Sequence, residues 1–394
     1  MISLKQKILA LHFHVPLTVK DGVFYYPDYY GSWVDSLAPY FKEIVLLTYS
    51  NTESDQNKYV ISSSNISLID LGNKPILRGT IINHKKYQLI LKDNLDKFDI
   101  IIYRAPTPLA VYFYPITKDK VNVFFLVANM LKGLDSAKDK ISLFKYHLWK
   151  KYWTWDHKLL QRNADKSLTL ANGPTFLKEF DDISEQKVIF TSTIHRIDVQ
   201  EDKKNRALQD PVQLLYLGRI SSEKSIDILI LAVELLGKRS IKVVLNIVGS
   251  GDDVVDKGLR KLVRNLNLKN VKFFGHVAAK EDKSYIMDEN DIFVIPSSWD
   301  WQPRTMWEAM ARGLPVVCSK GVKSPSLLFE HEKDMLFTEV KDSVDMANKI
   351  EVLIEDDRLR ECLIDRSLEI ASKRTIETSS KLQVQKILEY IKNA

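Results

Sequence analysis

PSSWDWQPRTMWEAMARGLPVV, residues 296–317, is the stretch on which the reading of this 394-residue chain turns. The apolar run that leads into it, DIFVIP (291–296), reads as a buried strand ending at Pro296. A short polar and aromatic loop follows. Pro303 then stands where a helix can begin, and residues 304–312 are good helix-forming sequence. Gly313 and Pro315 stop that helix, and PVVCS (315–319) opens another strand. The order strand, loop, helix, strand leaves Asp300 in the loop and Glu308 about one and a half turns into the helix. Amides at a helix start suit an anionic group, and two carboxylates suit hydroxyls. Together they outline a site for a sugar nucleotide.

Working outward, the same alternation fills the second half of the chain. Strands are expected at VQLLYLGR (212–219), IKVVLNIVGSG (241–251) and VKFFGHV (271–277), with helices around 226–236, 259–266 and 280–287. Before it, DVQEDKKNRALQDP (198–211) is charged, poor in large apolar side chains and closed by a proline, which marks a linker. The first half shows its own series of apolar runs: 7–17, 43–50, 65–72, 98–106, 121–129, 166–172 and 187–194. Helical segments separate them, as a parallel sheet with helical crossovers requires. Residues 17–30 read as an aromatic loop. Residues from about 342 onward read as helices, and KLQVQKILEYIKN (381–393) has an apolar spacing suited to packing on another domain. The division expected is 1–195, 196–370, and a final helix at 371–394 that packs back on the first domain.

Composition excludes several classes. Hydrophobic residues make up 45% and charged residues 27%, ordinary for a globular protein, and the +6 net charge permits anionic partners without requiring them. Two cysteines, Cys318 and Cys362, form no disulfide framework or metal cluster, so a reducing cytosol is the expected compartment. The N-terminal apolar run is too short to span a bilayer and reads as a first strand. His12 and His14 lie two apart on one strand face without a third ligand at useful spacing, which favours core or cleft histidines over a metal site.

Three loops of the second half carry candidate chemistry. In LGRISSEKS (217–225), Gly218 permits a tight turn while Arg219 and Lys224 supply two cations for one anion; a solvated pair beside Glu223 is the plainer alternative. In IVGSGDD (247–253), Gly249 and Gly251 allow close backbone approach, but the full dinucleotide fingerprint is missing, so a structural turn stays open. The third loop carries Asp300, Arg304, Thr305 and Glu308.

These motifs together resemble the retaining glycosyltransferases of family 4. GRISSEK (218–224), GSG (249–251), PSS (296–298) and Asp300 through Glu308 followed by AMARGLPVV are the matching residues, and the strong likeness covers about 212–365. The resemblance implies a GT-B fold, two Rossmann-like α/β domains whose parallel sheets face across a cleft. It implies Arg219 and Lys224 on the donor diphosphate, Glu308 on the nucleotide ribose and Asp300 on the transferred sugar, with Gly31 in the loop after the first strand approaching the donor phosphates. Pro303 has no amide to donate, which leaves the amides of Arg304, Thr305 and Met306 for the diphosphate. Asp300 replaces a commoner Glu, Lys323 and Ser324 stand where another Glu is usual, and no His follows the 121–129 run, where Asn129 is the nearest substitute. Arg104 follows the 98–106 strand and is a further cleft candidate.

The implied activity is transfer of a hexose-type sugar from a UDP- or GDP-sugar to a saccharide or lipid-linked saccharide, with no bound cofactor and no metal, in surface polysaccharide synthesis. A weakly catalytic glycan-binding or assembly subunit and a phosphorylase or epimerase of related fold are the rivals. FKYHLWKKYWTWDHK (144–158), with six aromatics and four lysines, reads either as a helix at the membrane's inner face or as a cleft-lining core helix. Nucleic acid is not expected as a partner.

Overall fold

The computed structural model describes residues 4–51, 59–75, 77–136, 138, 141–173, 183, 186–189, 192–200, 207–277, 280–301 and 303–393. Part of the 198–211 linker and Gln302 therefore lie outside the described residues. The chain divides into two compact units, Met1–Thr191 with Ile376–Ala394, and Ser192–Thr375. The first break falls four residues before the boundary expected from sequence. The second falls five after, because the helix that ends at Ser372 still belongs to the second unit.

Unit 1 is built on a seven-stranded parallel sheet. In chain order its elements are β1 (Ile8–His12), β2 (Leu17–Lys20), β3 (Val23–Tyr26), α1 (Asp28–Leu37), β4 (Glu43–Thr48), β5 (Ser50–Asn51), β6 (Tyr59–Val60) and β7 (Ile66–Asp70). There follow α2 (Leu77–Ile82), α3 (His84–Lys92), β8 (Ile100–Ala105), α4 (Ala110–Thr117), β9 (Val121–Leu126), α5 (Met130–Ser136), α6 (Leu143–Ala164), β10 (Leu168–Asn172) and β11 (Gln186–Ile189). The strand order is β11-β10-β9-β8-β1-β4-β7. Central strands such as β1, β8 and β9 are continuous apolar runs because helices cover both faces, and their side chains are almost wholly buried.

Residues 17–60 contain more than the aromatic loop expected there. β2 and β3 pair antiparallel around Asp21-Gly22, and with β5 and β6 they form a separate four-stranded sheet. Both turn residues have positive φ (51° and 75°), the conformation of a tight hairpin turn.

Unit 2 repeats the architecture. Its elements are β12 (Val212–Leu217), α7 (Ile226–Lys238), β13 (Val243–Val248), α8 (Asp253–Asn265), β14 (Val271–Gly275), α9 (Lys280–Asp288), β15 (Ile292–Ile295) and α10 (Arg304–Ala311). β16 (Val316–Ser319), α11 (Lys323–Leu328), β17 (Leu336–Thr338), α12 (Ser343–Glu355) and α13 (Asp357–Ser372) complete it. The parallel sheet runs β14-β13-β12-β15-β16-β17. In both units the chain places its first strand centrally, winds outward one way, then crosses to the other side. That reversal creates a switch point, between β1 and β8 in unit 1 and between β12 and β15 in unit 2, where open α/β sheets bind ligands.

The last helix, α14 (Ile376–Asn393), belongs to unit 1. Ile376, Val384 and Ile387 join the core formed by β1, β4 and α1. The Trp33 indole donates to Gln383 Oε1 at 3.1 Å, and the Ser36 and Ser380 hydroxyls meet at 2.6 Å.

Candidate functional site

The unit 2 switch point is held by backbone bonds between neighbouring loops. After β12, Gly218 N donates to Val248 O at 3.0 Å, Ile220 N to Ser250 O at 3.0 Å, and Asp252 N back to Ile220 O at 2.8 Å. The loop after β15 is fixed to the same segment, since Ser298 N donates to Glu223 O at 2.9 Å. The loop after β16 joins through Lys323 N to Asp300 O and Ser324 N to Trp301 O, both 3.0 Å. Four loops distant in sequence thus share one hydrogen-bonded frame. Between the ends of β12 and β15 they leave a pocket of about 410 Å³.

Six of the residues singled out from sequence line this pocket: Gly218, Arg219, Lys224, Asp300, Arg304 and Thr305. Lys224 Nζ lies 2.5 Å from Asp300 Oδ2, and both side chains are mostly buried. Arg219 is 69% exposed and meets Glu223 Oε1 at 3.1 Å. Burial pulls the Glu223 carboxyl up, but hydrogen bonds from the Ser221 hydroxyl and its own amide, with Arg219 and Lys224 nearby, carry it below the usual carboxylate range. Glu223 therefore stays ionised and anchors the loop.

Among the pocket's lining residues are three cations (Arg219, Lys224, Arg304) and one carboxylate (Asp300), so the lining carries 3 − 1 = +2. The start of α10 adds partial positive charge, as Pro303 precedes Arg304 and no side chain caps the helix. Buried apolar positions Met306, Trp307, Ala309 and Met310 fix α10 to the core. Arg304 and Glu308 are one turn apart on its remaining face.

Other expected site residues are placed elsewhere. Glu308 does not line the pocket; its Oε1 accepts from the Thr193 hydroxyl at 2.9 Å. Gly249 is a structural glycine. Its φ is 143°, its amide donates to Gly275 O at 2.7 Å, and a Cβ there would overlap the Gly218 carbonyl oxygen. Gly31 needs correction, because it lies within α1 and not in a loop. A Cβ at Gly31 would strike the Tyr59 ring, so close packing of α1 on β6 accounts for that glycine. Lys323 and Ser324, read as loop residues, open α11, and Ser324 is buried.

In unit 1, Asn129 Oδ1 accepts from Leu131 N at 3.1 Å at the start of α5. Arg104 Nη1 donates to the Tyr30 hydroxyl at 3.2 Å, and its guanidinium lies 4.9 Å from that ring's centre. His12 is fully buried, with Nδ1 2.8 Å from Leu47 O and Nε2 3.2 Å from the Thr107 hydroxyl; burial pushes it down to about 4. His14 is likewise lowered to about 4, first by burial and then by Lys74 and Arg104. Both imidazoles are neutral at pH 7. Among the described residues no three His, Cys, Asp or Glu side chains are grouped to hold a metal ion.

Sequence reading missed Tyr216 and Thr193 at the site and gave Ser297, within PSS, no role. Tyr216 and Ser297 line the pocket, and the Tyr216 hydroxyl donates to Arg219 O at 2.7 Å. Burial, then Asp300 and Glu223, raise that phenol, so it remains a donor. Tyr216 was findable as the last aromatic before GRISSEK. Thr193 carries no local signal, being 115 residues from Glu308.

Comparison with known proteins gives a family match over part of the chain and a fold. The family described as glycosyl transferases group 1 matches residues 198–369. An uncharacterized glycosyltransferase of Haemophilus influenzae is 30% identical over 157 residues, 39% of this chain and 42% of that protein. The amylovoran biosynthesis glycosyltransferase AmsK of Erwinia amylovora is 31% identical over 149 residues, 35% of this chain and 36% of that one. The chain thus spans about two fifths of the length of these relatives. Over whole chains, Anabaena HepE, solved in complex with UDP, aligns with a TM-score of 0.68 at 19% identity, covering 99% of this chain and 100% of that one. Sucrose-phosphate synthase of Thermosynechococcus elongatus aligns at 0.70 and 16% identity, with 99% and 100% covered. At those identities the likeness concerns the fold, two parallel-sheet α/β domains of the GT-B kind.

Proposed function

We propose that this chain, whose residues 198–369 match the family described as glycosyl transferases group 1, moves a hexose-type sugar from a nucleoside diphosphate to a saccharide or lipid-linked saccharide, retaining anomeric configuration. The observation that carries this reading is the +2 pocket at the unit 2 switch point, with a helix start in its wall. The diphosphate of a UDP- or GDP-sugar lies against Arg219, Lys224 and the first amides of α10. UDP is bound by HepE, which shares the fold. Arg219 and Lys224 stabilise charge developing on the leaving diphosphate, without a divalent ion. Lys224 enters that role from its bond to Asp300, so donor binding redirects the lysine and leaves the carboxylate for sugar hydroxyls.

Glu308, beside the Thr193 hydroxyl, takes the ribose. Attack from the front face, with a phosphate oxygen of the leaving group receiving the acceptor proton, preserves the anomeric configuration. Relatives named for amylovoran and lipopolysaccharide core biosynthesis support a cell-surface polysaccharide as product; the place of work in this reading is the inner face of the membrane.

Incubation with radiolabelled UDP- and GDP-sugars, with and without added saccharides, tests the proposal. Saccharide-dependent release of the diphosphate is expected, and Lys224→Ala and Glu308→Ala each lower turnover at least ~10-fold, equivalent to ~1.4 kcal/mol of transition-state stabilisation. Nucleotide binding without turnover by the unmodified protein would make it a glycan-binding subunit. Full activity in both variants would overturn the site.

A further inference from the structure

α6 is the longest helix among the described residues, 22 residues, and its two faces differ in an unusual way. Tyr146, Trp153, Asp156, Leu160 and Ala164 are buried, at spacings of 7, 3, 4 and 4. The opposite stripe, Phe144, Leu148, Lys151, Trp155, Lys158 and Arg162, follows spacings of 4, 3, 4, 3 and 4 and is exposed throughout. Phe144 is 79% exposed, Leu148 56% and Trp155 43%. A helix on an ordinary solvated surface carries polar residues there; this one presents large apolar residues at three of the stripe's six positions, Phe144, Leu148 and Trp155, along a stripe about 27 Å long.

The charges on this face have one sign. The helix's single carboxylate, Asp156, is on the buried side. Asp135 pairs with Lys150 at 3.1 Å, on the flank. Among the described residues no carboxylate pairs with Lys145, Lys151 or Lys158. Asp165 lies beyond the C-terminal end of the helix, next to exposed Lys166. Large apolar side chains interleaved with unneutralised cations complement one kind of surface: a hydrocarbon boundary bearing anionic headgroups.

We infer that the Phe144–Arg162 stripe of α6 docks flat on a bilayer containing anionic lipid. Phe144, Leu148 and Trp155 enter the boundary between headgroups and chains, while Lys151, Lys158 and Arg162 extend their heads to lipid phosphates along their own aliphatic stems. Among the described residues no helix is long and apolar enough to cross a membrane. The inference stands on α6 alone and does not depend on the sugar-transfer reading.

Co-sedimentation with phosphatidylcholine vesicles, with and without phosphatidylglycerol, tests it on the full chain. The unmodified protein should sediment with the anionic vesicles and release in high salt. Phe144→Ser with Leu148→Ser should lower vesicle binding about tenfold or more. Lys151→Gln with Lys158→Gln should abolish the preference for phosphatidylglycerol. Thermal melting of both variants should match the unmodified protein, since every substituted side chain is exposed. Absence of vesicle binding by the unmodified protein, or unchanged binding by both variants, overturns the inference. So does a concentration-dependent dimer that Phe144→Ser with Leu148→Ser disperses while neither protein binds vesicles, because the stripe then serves a second copy of the chain.

Discussion

The two switch points share a topology and differ in what fills them. At the end of β1, Phe13 meets Tyr26, Tyr30 and Trp33 with ring centres 5.5–5.7 Å apart, and His12 is buried and uncharged. Arg104 is drawn onto Tyr30. At the end of β12, glycines bring the backbone of neighbouring loops together, and the space left is lined by charged groups. Strand order therefore offers the same crevice in both units, and residue size and charge decide whether it is packed or open. Aromatic side chains close one. Small residues and paired ions hold the other open.

The largest effect should come from closing the open one. Gly249→Val forces a side chain into the Gly218 carbonyl at a φ that only glycine adopts easily. A loss of roughly 3 kcal/mol or more is expected, read by chemical denaturation, with nucleotide binding lost alongside. A variant as stable as the parent, binding UDP normally, would show that the loop does not depend on this approach.

A second substitution probes the opposite treatment of a carboxylate. Asp300 is ion-paired, whereas Asp156 in unit 1 is buried with Oδ1 unpartnered, among Tyr112, Tyr152 and Trp153, and burial pushes it up to about 7. Between pH 4 and 7 the unfolded chain has ionised this group while the folded chain keeps it protonated. The folded state then binds more protons, so the group lowers stability as pH rises through that window and has no further effect above it. Asp156→Asn removes the effect. Its stability relative to the parent should climb by about 1 kcal/mol per pH unit from 4 to 7 and level off. Other groups, His12 and His14 included, cancel in the difference. A difference that stays flat with pH would mean that Asp156 is ionised in the fold.

The smallest expected effect sharpens the view of the open site. Tyr216→Phe removes the donor to Arg219 O and should cost about 1 kcal/mol. If that bond positions the loop, nucleotide affinity falls a few-fold with little change in melting temperature. Equal affinity would leave the tyrosine a packing role only.

Sequence made most of this legible for a physical reason. The central strands of both sheets are runs such as IIIYRA and VVLNIV, apolar without alternation because both faces are covered. The small sheet at 17–60 escaped because β2, β3, β5 and β6 have only two to four residues and are half exposed, although Asp21-Gly22 is a recognisable hairpin signal. Gly31 was misplaced because the resemblance put it in the loop after the first strand, whereas here it lets a helix pass close to Tyr59. At the site, Arg219, Lys224, Asp300 and Arg304 were legible because they flank strand ends. The Lys224–Asp300 pair was not, since nothing local shows that residues 76 apart will neutralise each other.

The return of α14 to unit 1 has a consequence for synthesis. Trp33 and Ser36 are translated early, but their partners Gln383 and Ser380 are among the final residues described. All of unit 2 emerges from the ribosome in between. At about 5–20 residues per second, the first unit waits roughly 10–40 s with that apolar face uncovered. Unit 2 is one continuous segment and waits for no such returning element. The core of unit 1 is thus completed only once α14 has been made, and until then the nascent chain carries an uncovered apolar face for chaperones to shield.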